Sequence, residues 1–139
     1  MLVQTRQPDH PSLVAAIEHD FRSFAARELR SREELGYPPF GRLARILFEG
    51  DAEAVEREAE TLAEQMRSAA ASFNEELGAL QVLGPAPAPI ERLRGRYRVQ
   101  ILLKTRTAGQ LARLLDRAGP RNQNRHLRTI VDIDPVSML

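Results

Sequence analysis

The chain of 139 residues contains no cysteine and no tryptophan, and only five phenylalanines and two tyrosines. Without cysteine there is no disulfide, no thiolate metal ligand and no cysteine nucleophile. The core must therefore be built mainly from Leu, Ile, Val and Ala, for which an apolar fraction of 42% is sufficient. No apolar run approaches the roughly 20 residues of a membrane span, and the first residues lack the layout of a signal peptide. These absences predict a cytoplasmic protein without a membrane partner.

The chain also lacks the residue groupings of a self-contained enzyme. It has no Gly-x-Ser-x-Gly element and no glycine-rich phosphate loop with a lysine, because Lys104 is its only lysine. Its three histidines are scattered without metal-ligand spacing. Asp132 and Asp134 could hold a cation or act in acid–base chemistry, but such a pair more often caps turns or pairs with nearby arginines. We therefore expect no catalytic residue, no metal and no cofactor.

Positive charge is concentrated in the second part of the chain, although the net charge is only +1. Residues 1–81 contain 9 Lys and Arg against 15 Asp and Glu, a net charge of −6. Residues 82–139 contain 11 against 4, a net charge of +7. A basic half favours an acidic or nucleic-acid partner. The indication is weak by itself, because folding can interleave the two halves.

The order of the predicted elements indicates an α+β fold. After a β-prone run at residues 2–5, the apolar spacing predicts one amphipathic helix over 13–35, ended by Gly36 and the sequence YPPF. From residue 40 onward the patterns predict strand, helix, strand, strand, helix and strand. This is the split βαβ order of ferredoxin-like domains, in which two helices cover one face of a four-stranded antiparallel sheet.

The segment from Gly84 to Lys104, GPAPAPIERLRGRYRVQILLK, combines prolines with arginines at alternate positions. Proline cannot donate to a central ladder, so the first half is expected at a sheet edge, a bulge or a loop. Gly95 is expected in a hairpin turn. Beyond it, one strand face carries Arg96, Arg98, Gln100, Leu102 and Lys104. The other face, which is the expected core face, carries Tyr97, Val99, Ile101 and Leu103.

The basic side chains in and beside this segment are the candidate binding residues. Guanidinium groups match phosphate as flat bidentate donors, and a strand tolerates neighbouring like charges better when an anion lies against it. A solvated strand face balanced by the glutamate-rich helix explains the same pattern. The residues alone leave both interpretations open.

Three segments resemble the C-terminal end of PriA proteins (primosomal protein N′), the helicases of bacterial replication restart. They are ARELRSREELGYPPFGRLARI, VLGPAPAPIERLRGRYRVQILLK and VDIDPVSML, and the opening LVQTRQPDHP resembles the exit from the second helicase lobe of that family. The resemblance covers essentially the whole chain. It implies a remnant of the lobe-exit strand at 1–10, a linking helix and YPPF turn at 11–39, and a C-terminal α/β domain at 40–139 that is similar to a ribosomal protein.

The resemblance also implies a function. The chain is similar to a non-catalytic part of an ATP-dependent DNA helicase, since the family's ATP site and zinc element lie upstream. It would bind branched and single-stranded DNA at stalled forks, associated with the nucleoid. It would also receive the acidic tail of the single-stranded DNA-binding protein and contact other primosome proteins and the helicase lobes. The implied DNA-binding positions are Arg92, Arg94, Arg96, Arg98, Lys104 and Arg106. The implied tail-binding positions are Gln110, Arg113 and Arg117.

Two alternative functions compete with DNA binding. The domain could brace the helicase lobe and receive partner proteins while contacting DNA little. By analogy of fold alone, it could also bind RNA at the ribosome. Binding through phosphates would weaken steeply as salt rises, which separates the first interpretation from the bracing role.

Overall fold

Four helices and four strands lie within the part of the chain that the computed structural model describes, residues 3–77, 80–121 and 127–136, with 73–77 described by their backbone only. The helices are α1 (Pro11–Ile17), α2 (Phe21–Leu35), α3 (Ala52–Leu77) and α4 (Ala108–Ala118). The strands are β1 (Arg42–Gly50), β2 (Gln81–Leu93), β3 (Arg96–Thr105) and β4 (Arg128–Ile133). The sheet order is β2-β3-β1-β4, and every neighbouring pair is antiparallel. The predicted α+β class with a split βαβ order is confirmed.

The hydrophobic core lies between one face of this sheet and helices α3 and α4. Phe48 and Ile46 of β1 and Ile101 and Leu103 of β3 are almost completely buried there. The alternation of β3 therefore places its core face as predicted. From the helices, the core receives Val55, Ala59, Leu62, Ala63, Met66, Leu111 and Leu114.

The N-terminal segment forms two helices, so the prediction of one continuous helix over 13–35 is wrong. His19 has a φ of 55°, and the Asp20 carboxylate accepts a hydrogen bond from the backbone N–H of Ser23 at 3.1 Å. An N-cap inside the apolar pattern begins a new helix, and periodicity alone does not reveal it because both helices continue the same apolar spacing. Hydrogen bonds from Ser23 also hold the pKa of the Asp20 carboxyl below its usual range. As predicted, α2 ends at Gly36, whose φ is 62°.

We call the pair α1 and α2 the helical arm. Neither helix contributes a buried residue, and Ile17 and Phe21 are 73% and 74% exposed. The prediction of a strand at residues 2–5 is wrong for residues 3–5, which form no strand. No other strand lies beside them within the described residues, so their backbone groups have no ladder to join. Residues 1–2 lie outside the described part of the chain.

The hairpin of β2 and β3 forms one edge of the sheet. β2 is the outermost strand, and its register against β3 shifts between Leu83 and Ala86 and again between Pro87 and Arg92. This confirms the expected edge position for the prolines. A two-residue turn, Arg94–Gly95, joins the strands, with φ values of 50° and 80°. Positive φ at both positions is typical of a type I′ turn, whose twist matches that of the strands.

Candidate nucleic-acid interface

Three exposed arginines surround the turn of the hairpin. They are Arg92, Arg94 and Arg96, and we call this group the hairpin tip. Among the described residues, none of the three forms an ion pair with a carboxylate. The guanidinium carbon of Arg92 lies 5.4 Å from the centre of the Tyr97 ring, a cation–π contact that orients it. The tip therefore presents three guanidinium groups to solvent within five residues of chain.

Arg98 differs from the tip, although it continues the same alternation. Its residue is only 6% exposed. Its Nε lies 3.1 Å from Oε1 of Glu49, and its Nη1 donates to the backbone carbonyl of Ile90 at 3.2 Å. The cause lies in the register, since β1 pairs with β3 only as far as Tyr97. Arg96 projects beyond the end of β1, whereas Arg98 lies opposite Glu49. The guanidinium of Arg98 is therefore committed to protein partners.

Lys104 and Arg106 lie at the other end of β3. Along a strand that rises about 3.3 Å per residue, Lys104 is about 26 Å from Arg96. Its Nζ lies 5.7 Å from the centre of the Tyr37 ring, and the side chain is half-buried. A cleft beside it is lined by Glu33 as well as by Lys104 and Arg106. The structure therefore separates the predicted DNA-binding residues into three environments: the exposed tip, the buried Arg98, and the distant pair Lys104 and Arg106.

The predicted tail-binding residues of α4 are placed in different environments. Gln110 is 5% exposed, and its Oε1 accepts hydrogen bonds from the backbone N–H groups of Arg106 and Thr107 at 3.1 and 3.2 Å. It belongs to the capping box that begins α4. Arg113 is exposed. Arg117 lines a groove between α3 and α4 whose other wall carries Glu58 and Glu64.

Two ion pairs join β1 to the C-terminal strand β4 and to the residue that follows it. Arg42 pairs with Asp134 at 2.6 Å, and Arg45 pairs with Asp132 at 3.4 Å. Asp134 also accepts a hydrogen bond from the backbone N–H of Leu43 at 3.0 Å. The two aspartates therefore pair with arginines, the more common of the two roles considered for them. The sequence reasoning missed these arginine partners, since the pattern of β1 does not show which strand lies beside it.

Neither a metal-binding cluster nor a membrane-spanning helix is found in the described part of the chain. No three histidine, aspartate or glutamate side chains in that part of the chain are grouped to hold a metal ion. None of its helices is both long and apolar enough to cross a membrane.

These features define a small α+β domain that presents a cationic cluster on the end of an edge hairpin. Residues 33–136 match the model of the primosomal protein N C-terminal domain family. The chain belongs to this family, so it is a C-terminal domain of a PriA replication-restart protein, and the resemblance seen in the sequence is confirmed.

Curated relatives agree with this assignment. The chain is 39% identical over 139 residues to the probable replication restart protein PriA of Deinococcus radiodurans. It is 33% identical over 139 residues to replication restart protein PriA of Haemophilus influenzae, and 28% identical over 144 residues to that of Bacillus subtilis. The alignments cover 99%, 97% and 100% of this chain but only 14%, 18% and 17% of the relatives. The chain thus spans less than a fifth of the length of these relatives.

Proposed function

We propose that this domain binds the phosphate backbone of branched and single-stranded DNA through the hairpin tip. One observation carries the proposal, namely three exposed guanidinium groups around a single turn with no carboxylate partner among the described residues. Mutual repulsion raises the free energy of such a cluster, and a bound polyanion relieves it. Guanidinium groups also hold phosphate by paired hydrogen bonds.

The binding that we propose positions DNA without reading its sequence. Contacts to phosphates fix the orientation of a protein on DNA and carry no base information by themselves. The relatives are named replication restart proteins, which supports stalled forks as the setting. In this proposal the tip makes the primary contacts, while Lys104 and Arg106 form a second, weaker contact point. Arg98 supports the hairpin from within.

The proposal is tested by measuring fluorescence anisotropy of a labelled fork and a labelled single strand. The salt concentration is varied from about 50 to about 300 mM, a range in which phosphate binding changes strongly. In the triple variant Arg92→Ala, Arg94→Ala, Arg96→Ala, we expect weaker binding and a salt slope reduced by about 1 for each lost phosphate contact.

A matched control removes three exposed arginines of α2, Arg22, Arg27 and Arg30. Both triple variants remove three positive charges, so they change the net charge of the protein equally. If the control loses as much affinity and slope as the tip variant, net charge explains binding and the tip is not the DNA surface. Tighter binding of an RNA hairpin than of the fork would favour the RNA-binding alternative.

We also propose that α4 receives the acidic tail of the single-stranded DNA-binding protein, with Arg113 as the main contact. Support comes from the exposure of Arg113 and from the buried capping role of Gln110, which leaves the latter little surface for a ligand. Binding of a labelled tail peptide should weaken in Arg113→Ala and stay unchanged in Arg57→Ala, another exposed helical arginine. Equal affinities for both variants would remove Arg113 from this role.

Other primosome proteins and the helicase lobes of a full-length restart protein are the remaining proposed partners. The helical arm is the surface that we assign to the lobes. Its support is the exposure of Ile17 and Phe21, two large apolar side chains at the end of α1 and the start of α2.

A further inference from the structure

The part of β2 that leads to the hairpin tip is poorly held by the sheet ladder. Pro87 is paired with Val99 and Arg92 with Tyr97, so the four residues 88–91 of β2 face the single residue Arg98 of β3. Extra residues in one strand interrupt the ladder and leave backbone groups without cross-strand partners. The position of the tip therefore depends on other contacts to residues 88–91.

The Arg98 side chain supplies such a contact. Its Nη1 donates to the carbonyl of Ile90, in the middle of the bulged segment, at 3.2 Å. The Arg98 side chain is 8% exposed and that of its partner Glu49 is 13% exposed. Charge-assisted hydrogen bonds are stronger than neutral ones, and removing one member of a buried ion pair leaves an uncompensated charge. Glu49 thus determines whether Arg98 stays beside Ile90.

The Glu49 carboxylate also has a second partner. Its Oε2 lies 3.5 Å from Nη1 of Arg128 on β4. The Arg128 side chain is 66% exposed. The Glu49 carboxylate, on the inner strand β1, therefore pairs with one arginine of β4 and one of β3. The β3 arginine, Arg98, in turn contacts β2. We call these linked residues, Arg128, Glu49, Arg98 and the Ile90 carbonyl, the cross-sheet relay.

We propose that Glu49 is a positioning residue for DNA binding, because the cross-sheet relay holds the hairpin tip in place. This inference rests on the proposed function of the tip. It gives an acidic residue a favourable effect on the binding of a polyanion. Direct electrostatics gives the opposite sign, since removing a carboxylate from a DNA-binding protein lowers repulsion and leaves more positive charge available. The positioning role therefore predicts weaker DNA binding when the Glu49 carboxylate is removed, whereas direct electrostatics predicts stronger binding.

The first test compares Glu49→Gln with Glu53→Gln in the whole chain. Glu53 is an exposed glutamate in the first turn of α3, so the control removes the same charge outside the relay. Hydrogen exchange of backbone amides is measured without DNA, and fork affinity is measured by anisotropy. In Glu49→Gln we expect amide exchange to accelerate by about tenfold or more at residues 92, 93, 96 and 97, which are paired across the end of the hairpin, as loss of a charge-assisted hydrogen bond implies. Fork affinity should fall below that of Glu53→Gln.

The second test holds the net charge constant. Arg98→Lys keeps one positive charge, but a lysine ammonium lacks the planar fork that bridges Glu49 and the Ile90 carbonyl. We expect this variant to accelerate exchange at the paired residues 92, 93, 96 and 97 and to weaken fork binding as well. It also provides the decisive comparison if Glu49→Gln does not fold.

The possible outcomes separate this inference from the proposed function. Fork binding by Glu49→Gln that equals or exceeds that of Glu53→Gln, with unchanged exchange at residues 92, 93, 96 and 97, overturns the positioning role. Unchanged exchange and affinity in Arg98→Lys also overturns it. If exchange accelerates in both relay variants while the triple tip variant still binds DNA normally, the relay holds the hairpin, and the DNA function of the tip is what fails.

Discussion

At the scale of single residues, Gln110 is a buried polar residue whose hydrogen bonds cap the start of α4. Its Oε1 accepts from two backbone N–H groups, and the backbone N–H of Gln110 donates to Oγ1 of Thr107 at 3.2 Å. We expect Gln110→Ala to lower the free energy of unfolding by about 1 kcal/mol, the usual effect of losing a helix cap. Urea denaturation measures this change. Arg113→Ala, on the exposed side of α4, is the control, and an equal loss in both variants would contradict the capping role.

The same scale shows why the candidate site could be predicted only in part. Arg96 and Arg98 have equivalent positions in the sequence pattern, yet one is exposed and the other is buried against Glu49. The difference depends on where β1 stops pairing with β3 and on a carboxylate 49 residues away. Local alternation contains neither fact. It identifies which face a side chain is on, but not which residue of another strand lies beside it.

At the scale of elements, the hairpin turn combines a strained position with a candidate binding residue. Arg94 has a φ of 50°, a region that costs most residues about 1 kcal/mol or more and that asparagine tolerates better. Asn-Gly is also the preferred pair for a type I′ turn. We therefore expect Arg94→Asn to stabilise the domain by roughly 0.5–1 kcal/mol. The same change should weaken fork binding and reduce the salt slope by about 1.

Thermal unfolding and anisotropy measured on Arg94→Asn test the two effects separately. A stabilised variant that binds forks normally would show that Arg94 makes no phosphate contact. A variant that loses both stability and binding would contradict the assigned turn geometry. Gly95→Ala provides a comparison, because Gly95 has a φ of 80° and no atom within 4 Å of an added Cβ. Any destabilisation of that variant therefore comes from the backbone conformation alone.

The elements that the sequence predicts well are those with their own local signals. α4 has Thr107 at its start and Gly119 at its end, and β3 alternates over residues 96–101, so both were predictable. The helical arm was not, because Asp20 is a capping residue within an uninterrupted apolar spacing. The bulges of β2 were expected from its prolines, but the register that places four residues opposite Arg98 depends on contacts that form only in the folded sheet.

At the scale of the whole molecule, charge is segregated between the surface of α3 and the hairpin. Exposed glutamates follow the outer side of α3, at Glu53, Glu56, Glu60 and Glu64, whereas the tip is cationic. A polyanion that approaches such a molecule is repelled from the helix face and attracted to the tip. The net charge of +1 hides this asymmetry. The separate net charges of residues 1–81 and 82–139 indicate it, because they have opposite signs.

The whole molecule also divides into the helical arm and a packed α/β part that contains the core. The core residues all lie on the sheet, on α3, on α4 or in the segments that join them, and neither helix of the arm has a buried residue. We therefore expect that deleting residues 1–35, which contain both helices of the arm, leaves the thermal midpoint of the α/β part and its fork affinity unchanged. Phe48→Ala is the contrasting variant, because removal of a fully buried aromatic side chain costs about 3–5 kcal/mol. Calorimetry and anisotropy on both proteins check this expectation. A midpoint lowered by the deletion as much as by Phe48→Ala would mean that the arm packs on the domain in solution, and the helical arm would then be part of one cooperative unit.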